Sequence, residues 1–294
     1  MRVFLNYVSI SVAALLVLSF VGALHPIGDS FAVGRLPLAL TLAMLVWGAT
    51  FSRWLQIGLT LLGLASAGQI LVPMVARQTA SDFDFVLYQQ NLLYNRAETE
   101  AWLAEIDRQA PQFMTLQEVS EGNASLLRSL GDEFPAQLHC NEGRRGGVAV
   151  LSVYEVINGT PTCAVDDAVA AMQVNTPHGP VWIVSIHLSW PWPFGQAAQA
   201  QKVARVIEQL DGHKILAGDF NSVRWAYAIR RIAQVGEVGY VGPSRPTFRI
   251  SEILPVGIDH VMTSPAYAQE VIVMPKLGSD HNGVLARLTR PRDE

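Results

Sequence analysis

An α/β or α+β domain, with sheets covered by helices, behind an apolar helical front end is what this sequence predicts. Three observations carry that expectation. Strand-like and helix-like segments alternate from Asp82 onward. Charge is nearly absent from residues 1–77. The 294 residues suffice for one large domain with an ample core. Half of the residues are apolar and 16% are charged, against about 25% in ordinary soluble domains. Residues 1–77 hold four arginines, one acid (Asp29) and no lysine, so they carry +3 of a net charge of −4, and the remainder carries −7.

The front end contains three apolar stretches, 7–24, 36–51 and 55–76. The first approaches the roughly 20 residues of a bilayer span, the second is short of it, and the third exceeds it. None shows the polar face of a buried soluble helix, and the first lacks a clean small-x-small cleavage site. Residues 1–77 therefore read as a membrane anchor of about three transmembrane helices in contact with a lipid bilayer, and 78–294 as a separate globular domain. Arg2, Arg35, Arg53 and Arg77 alternate along the loops, which says little about orientation. With an inside N-terminus, three spans place the globular domain outside the cytoplasm, as in an integral protein of a bacterial inner membrane. Cys140 and Cys163 flank the strand-like 147–153. They could pair in an oxidising compartment or remain two separate buried thiols.

The elements follow in order. "DFVLYQQN" (84–91) reads as a strand, and 97–109 places Trp102, Leu103 and Ile106 on one helical face. "QFMTLQE" (112–118) is strand-like again, and "PVWIVSIHL" (180–188) is the most apolar strand. In 196–210, Val203, Val206, Ile207 and Leu210 recur at helical spacing. "ILAGDFN", "GIDHVMT" (257–263) and "SDHNGVLARL" (279–288) complete the series.

Polar residues recur at the strand ends. Asn91, Glu118 and His187 close or nearly close three strands, and Asp219 with Asn221 closes a fourth. Asp259–His260 lies within a later strand, and Asp280–His281 opens the last. Singly, each has a plain structural reading; Asp-x-Asn after a strand also makes helix caps and Asx turns. Together they point to one cleft at a sheet edge. Carboxylates and carboxamides suit a hard cation such as Mg²⁺ or Mn²⁺, and histidines beside acids suit phosphate binding and proton transfer. Two cysteines are too few for a thiolate zinc site.

The order of these pieces resembles the endonuclease/exonuclease/phosphatase superfamily. Its hallmarks match "YQQN" with Asn91, "LQE" with Glu118, "SIHL" with His187, "GDFN" (218–221), "DH" at 259–260 and "SDH" at 279–281; "RPTF" (245–248) resembles a further stretch before the "DH". The resemblance implies a four-layer α/β/β/α sandwich hydrolysing phosphoesters with Mg²⁺ or Mn²⁺. It implies Glu118 as main metal ligand with Asn91 and Asp280 nearby, and Asp219 as the base that orients and deprotonates water. Asn221 and His187 would hold the phosphate. His281 would bind a phosphate oxygen or the leaving group, steered by Asp259. His260 reads as a catalytic or merely structural neighbour, and Arg144 and Arg145 as phosphate contacts or a solvated loop.

The superfamily spans nucleases, phosphatases and phospholipases, so the resemblance does not choose the substrate. A charge of −7 and only three lysines (Lys202, Lys214, Lys276) in the globular part disfavour a nucleic-acid partner. "SWPWPFG" (189–195) sets three aromatics between prolines, either folded onto the core or forming an apolar rim over the cleft. The rim reading favours a lipid or lipid-linked phosphate as substrate. A nuclease and an inactive membrane-bound binding protein are the alternatives.

Overall fold

The computed structural model describes residues 1–75, 83–96, 99–141, 146–166, 168–265 and 268–289. Four helices open the chain: α1 (Arg2–Leu18), α2 (Ile27–Val33), α3 (Arg35–Leu45), which ends in a 3₁₀ turn (Val46–Gly48), and α4 (Arg53–Val75). Next come β1 (Phe85–Asn91), α5 (Glu100–Gln109), β2 (Phe113–Val119), α6 (Ser125–Ser129), β3 (Ala136–Cys140) and β4 (Gly147–Ser152). The middle of the domain is β5 (Thr162–Ala164), β6 (Val169–Thr176), β7 (Gly179–His187), α7 (Gln196–Glu208), β8 (Lys214–Asp219) and α8 (Tyr227–Val235). It ends with β9 (Gly239–Tyr240), β10 (Phe248–Ile250), β11 (Leu254–Val256), β12 (Asp259–Thr263), β13 (Ala268–Val273) and β14 (Val284–Thr289).

The strands form two six-stranded sheets, ordered β13-β14-β1-β2-β4-β3 and β5-β6-β7-β8-β12-β9, with a small β10–β11 hairpin beside them. Pairings are mostly antiparallel; β1 with β2 and β7 with β8 run parallel. The sheets face each other across one apolar layer that includes Phe85, Leu87, Phe113, Val181, Ile183, Ile215, Ala217 and Val261. Trp102, Ile106 and Leu126 of α5 and α6 cover the outer face of the first sheet. Val203, Ile207, Ile229 and Ile232 of α7 and α8 cover that of the second. The result is the four-layer α+β sandwich that the sequence pattern and the resemblance imply.

Side chains alternate faces along a strand, and this alternation builds the polar end of the inter-sheet layer. On β1, Phe85 and Leu87 face inward, so Gln89 and Asn91 do too. On β7, Ser185 and His187 follow Val181 and Ile183. On β8, Asp219 follows Ile215 and Ala217. The register then gathers the strand ends: Asp219 lies beside His187 on one side and Asp259 on the other. Gly218 makes this approach possible, because a Cβ there would collide with the Ile186 carbonyl. The sequence reading places Asp280 and His281 at the start of the last strand. They instead sit in the turn before β14, which begins at Val284.

The helical front end differs in detail from three simple spans. α1 stops at Leu18 although the apolar stretch runs to Leu24. The chain folds back there, with Gly22 and Gly28 so close that a Cβ on Gly28 would strike the Gly22 backbone. α2 meets the α3 rod at 70°, so only as a broken pair do they reach spanning length. Among the described residues α4, with 23 residues, is the one helix long and apolar enough to cross a membrane by itself. Leu16, Ala39, Leu42 and Ala67 pack the three long helices together, and large apolar side chains such as Tyr7, Met44 and Trp54 project outward.

This module is seated on the globular domain through α2. Asp29, the only acid in residues 1–77, accepts hydrogen bonds at its two oxygens from the Tyr227 and Ala228 amides (2.6 and 3.0 Å). These are orphan N–H groups of the first turn of α8, and a carboxylate there also complements the helix dipole. The Trp225 indole donates to the Ala32 carbonyl (2.7 Å), and the Ser30 hydroxyl donates to the Trp192 carbonyl (2.7 Å). At the opposite flank, Cys140 and Cys163 are disulfide-bonded, joining β3 of one sheet to β5 of the other.

Two stability measurements follow from these contacts. Asp29→Ala leaves two amides without their acceptor and should cost about 1–3 kcal/mol in denaturant unfolding, with Asn at the position recovering part of it. Cys163→Ser opens a loop spanned by 23 residues and should lower stability by about 3 kcal/mol on the loop-entropy model.

Candidate active site

Asp219 is the centre of the cluster and is 1% exposed. Its Oδ1 accepts the Asn221 amide (2.8 Å). Its Oδ2 accepts Nδ2 of Asn91 (3.1 Å) and of Asn221 (3.3 Å). Nε2 of His187 and of His281 stand 3.6 and 3.7 Å from the same oxygen. Asn221 takes a left-handed backbone (φ 46°), uncommon for a residue with a Cβ, and its Nδ2 also donates to the Leu188 carbonyl (2.8 Å). Burial pushes the Asp219 carboxyl above the usual carboxylate range, and Asp259 adds to this, against the opposing pull of His281 and His187.

Asp259 faces Asp219 directly across the β8–β12 pair, where like charges repel. His281 relieves the conflict: its Nδ1–H donates to Asp259 Oδ2 (3.0 Å). Burial works against the imidazolium, but the charges of Asp259 and Asp219 outweigh it and hold the His281 pKa up to about 10. Burial likewise raises the Asp259 carboxyl, and His281 with hydrogen bonds from Thr247 and Gln89 more than reverses this. Phe248 lies over the His281 ring (centroids 4.6 Å), and Trp190 leans on Phe248 (5.8 Å).

Glu118 reaches this end of the layer through an irregularity. The β2–β4 register shifts between Gln117 and Val119, and Glu118 takes φ 54°, which turns it from the outer face toward the cleft rim. Its Oε1 accepts Asn91 Nδ2 (3.1 Å) and its Oε2 the Tyr94 amide (3.0 Å). One amide group of Asn91 thus bridges two carboxylates, while its Oδ1 is turned to the Leu93 amide (2.9 Å). Asp280 is half-buried beside His281 and its negative charge favours the imidazolium. A cleft of about 350 Å³ opens here, lined by Glu118, His187, Trp190, Phe194 and Asn221. A larger depression of about 830 Å³ near Lys214 and Glu237 lies by the opposite end of β8 and contains none of these groups.

Two places can be asked to hold a cation. Asp219, Asp259 and His281 bring ligand atoms within 4.8 Å of one another. That space is a possible metal site by spacing, but an imidazolium already balances it. The hard oxygens of Glu118, which have amide donors but no cationic partner among the described residues, fit Mg²⁺ or Mn²⁺ better.

The structure therefore gathers Asn91, Glu118, His187, Asp219, Asn221, Asp259, Asp280 and His281 at one end of the inter-sheet layer. His260 is excluded from the group. It points to the other face of β12, bonds the Ser222 carbonyl (2.8 Å) and packs between Phe220 and Tyr240. Burial, with Arg224 nearby, lowers its pKa to about 4. Arg144 and Arg145 lie outside the described residues. Thr247, Phe248 and the two glutamines of "YQQN" join the site without having been singled out as functional residues. All four lie inside stretches that carry the resemblance, "RPTF" and "YQQN".

A family model described as the Endonuclease/Exonuclease/phosphatase family matches residues 88–281. The chain belongs to the endonuclease/exonuclease/phosphatase family. An endonuclease/exonuclease/phosphatase from Beutenbergia cavernae DSM 12333 is 18% identical, with 71% of this chain and 72% of that one covered and a TM-score of 0.56. A humanised D. rerio TDP2 is 16% identical (70% and 98% covered, TM-score 0.54). A mutant beta toxin from Staphylococcus aureus with bound magnesium ions is 14% identical (69% and 99%, TM-score 0.50). At these identities the three share the fold. No curated protein sequence matches the chain. Family membership makes this chain a phosphoester hydrolase by class.

The two buried histidines should titrate on opposite sides of the ordinary value of 6.5. In the metal-free protein, imidazole NMR should find His281 near 10 and His260 near 4. The signs for stability are also opposite. The His281 contribution is complete below 6.5 and is lost as pH rises toward 10; that of His260 is complete above 6.5 and is lost as pH falls toward 4.

Proposed function

We propose that this protein is a membrane-anchored, divalent-metal-dependent phosphoester hydrolase whose substrate is a lipid or lipid-linked phosphate. The observation that carries the hydrolase reading is the Asp219 cluster: a buried carboxylate ringed by two carboxamides and two imidazoles beside an open cleft. Asp219, its basicity raised by burial, takes the proton from the attacking water. Asn221 fixes the Asp219 carboxylate with its backbone N–H and one Nδ2 proton; the Leu188 carbonyl takes the other, so the part of Asn221 here is to orient the base. His187 and the cationic His281 present N–H groups to phosphate oxygens, as the developing charge requires. Glu118 and Asp280 would hold the cation, with Asn91 organising the carboxylates around it. Bound there, Mg²⁺ would offset negative charge on the phosphate oxygens, and magnesium in the beta toxin that shares the fold supports that ion.

The lipid reading rests on the 189–195 loop and the helical module. Trp192 and Phe194 are exposed (46% and 69%). Phe194 lines the cleft, and Ser30 of the module holds the Trp192 carbonyl. Aromatic rings of this kind favour a membrane–water interface. Residues 1–77 serve as the anchor in this reading, and the Cys140–Cys163 bond supports a domain outside the cytoplasm.

Hydrolysis by the full-length protein in vesicles should stop with EDTA. Glu118→Gln and Asp219→Asn should each lose on the order of 10²-fold or more in kcat. Trp192→Ala with Phe194→Ala should weaken turnover of a vesicle-borne phosphoester and leave a small soluble phosphodiester unaffected. Near wild-type rates for both Glu118→Gln and Asp219→Asn would overturn the site. Preferred cleavage of double-stranded DNA would replace the lipid reading with a nuclease.

A further inference from the structure

Gln89 and Gln90 are fully buried and take no part in the chemistry just described, yet both end on the Asp259–His281 pair. They project from opposite faces of β1. Gln89 lies in the inter-sheet layer and donates Nε2–H to Asp259 Oδ1 (3.1 Å). Gln90 lies under α5 and donates Nε2–H to the carbonyls of Lys276 (2.8 Å) and His281 (3.1 Å).

The direction of each amide is fixed by its other partners, not by choice of rotamer. Ser185 has one hydroxyl proton and gives it to the Leu116 carbonyl (3.1 Å), so it can only accept from Gln117 Nε2 (2.9 Å). Gln117 must then turn its Oε1 toward Gln89, which answers with Nε2 (2.8 Å). The second proton on that nitrogen faces Asp259. A reversed Gln89 amide would set its single Oε1 against both the Asp259 carboxylate and the Gln117 oxygen. As placed, that oxygen has no partner among the described residues, and the nitrogen alone sets the direction. Gln90 is constrained in the same way: the Trp102 indole, a donor only, and the Tyr88 hydroxyl both donate to its Oε1 (2.9 Å each). Its nitrogen therefore faces the 276–281 turn. Ser279 stitches that turn further, donating to the Asn91 carbonyl (2.6 Å) and accepting the His281 amide (3.0 Å).

We infer that Gln89 and Gln90 are positioning residues that hold the two ends of the Asp259–His281 pair, with Gln89 aimed by a one-way relay from the Leu116 carbonyl through Ser185 and Gln117. Gln89 occupies Asp259 Oδ1 and so leaves Oδ2 for His281 Nδ1. Gln90 fixes the backbone from which the imidazole projects. An aliphatic side chain at 89 would continue the Phe85–Leu87 stripe without burying an amide. The amide is there for what it points at. The catalytic half of this inference rests on the hydrolase reading; the geometric half does not.

The test uses full-length protein labelled with ¹⁵N-histidine in detergent, comparing wild type with Gln89→Met, Gln90→Met and Ser185→Ala. The readouts are the Nδ1 proton resonance of His281, kcat and KM, and the thermal midpoint. Gln89→Met should displace or broaden the His281 resonance and lower kcat about 10- to 100-fold, with KM within about threefold. Ser185→Ala, two side chains away from Asp259, should move the same resonance in the same direction, because Gln117 can then turn over. Gln90→Met should disturb His281 through its backbone. A structural role alone would lower the midpoint and leave the resonance in place. A folded Gln89→Met with the wild-type resonance overturns the inference. Should that variant fail to fold, an unmoved resonance in Ser185→Ala overturns it equally. Since the resonance needs no substrate, its loss in Gln89→Met beside a wild type that hydrolyses nothing would support the positioning role and remove the hydrolase reading.

Discussion

Asp219 and Asp259 stand opposite one another on neighbouring strands, both sealed from solvent, and His281 between them is what lets a folded chain keep them there. Two buried carboxylates of like charge are costly together. A cation supplied by a third element turns the pair into an organised site. The turn before β14 must therefore reach across to β12, which explains why so many of its hydrogen bonds are spent on fixing that turn to β1. Asp259 is consumed in holding His281, whereas Asp219, with Asn91, Asn221 and His187 also around it, remains aimed at the cleft.

The same economy runs through the inter-sheet layer. Below the site it is aliphatic and aromatic, and its strands need only alternate. At the site end, Gln89, Gln117 and Ser185 replace the apolar side chains and form a polar sublayer beneath the charged one. Orientation matters in such a network, and its bonds across the layer, from Gln89 to Asp259 and from Gln117 to Ser185, tie the two sheets into a single register. The helical module adds a constraint from outside. Asp29 caps α8 and Ser30 holds the Trp192 carbonyl, so the aromatic loop at the cleft edge is linked to the apolar helices rather than hanging free.

Much of this was legible in one dimension. β1, β2, β4, β7 and β8, and the helices α5 and α7, lie where periodicity and apolar runs placed them, because local alternation is itself the cause of those elements. The sequence reading does not contain β5, β9, β10 and β11, since two or three residues cannot display a period, nor does it contain the longer β3, β6, β13, α6 and α8. α1 stops at Leu18, short of the end of the apolar stretch, and the chain folds back so that Gly22 meets Gly28 of α2, a contact that hydropathy does not report. Trp190 and Phe194, equivalent in "SWPWPFG", parted ways: one leans on Phe248 and the other faces solvent.

By itself, the sequence determined the family, the layered α+β domain and the eight polar residues that meet at its cleft, since each of those is written as a local pattern of spacing and residue type. It also determined that residues 1–77 are an apolar unit almost without charge. Tertiary structure alone decided that His260 turns away while His281 turns in. It also decided that Asn91 offers its nitrogen to both carboxylates, that Cys140 meets Cys163, and that Asp29 of α2 accepts the first amides of α8. Those outcomes depend on which groups compete for one oxygen or one buried space. Such competition exists only after distant strands have been brought side by side.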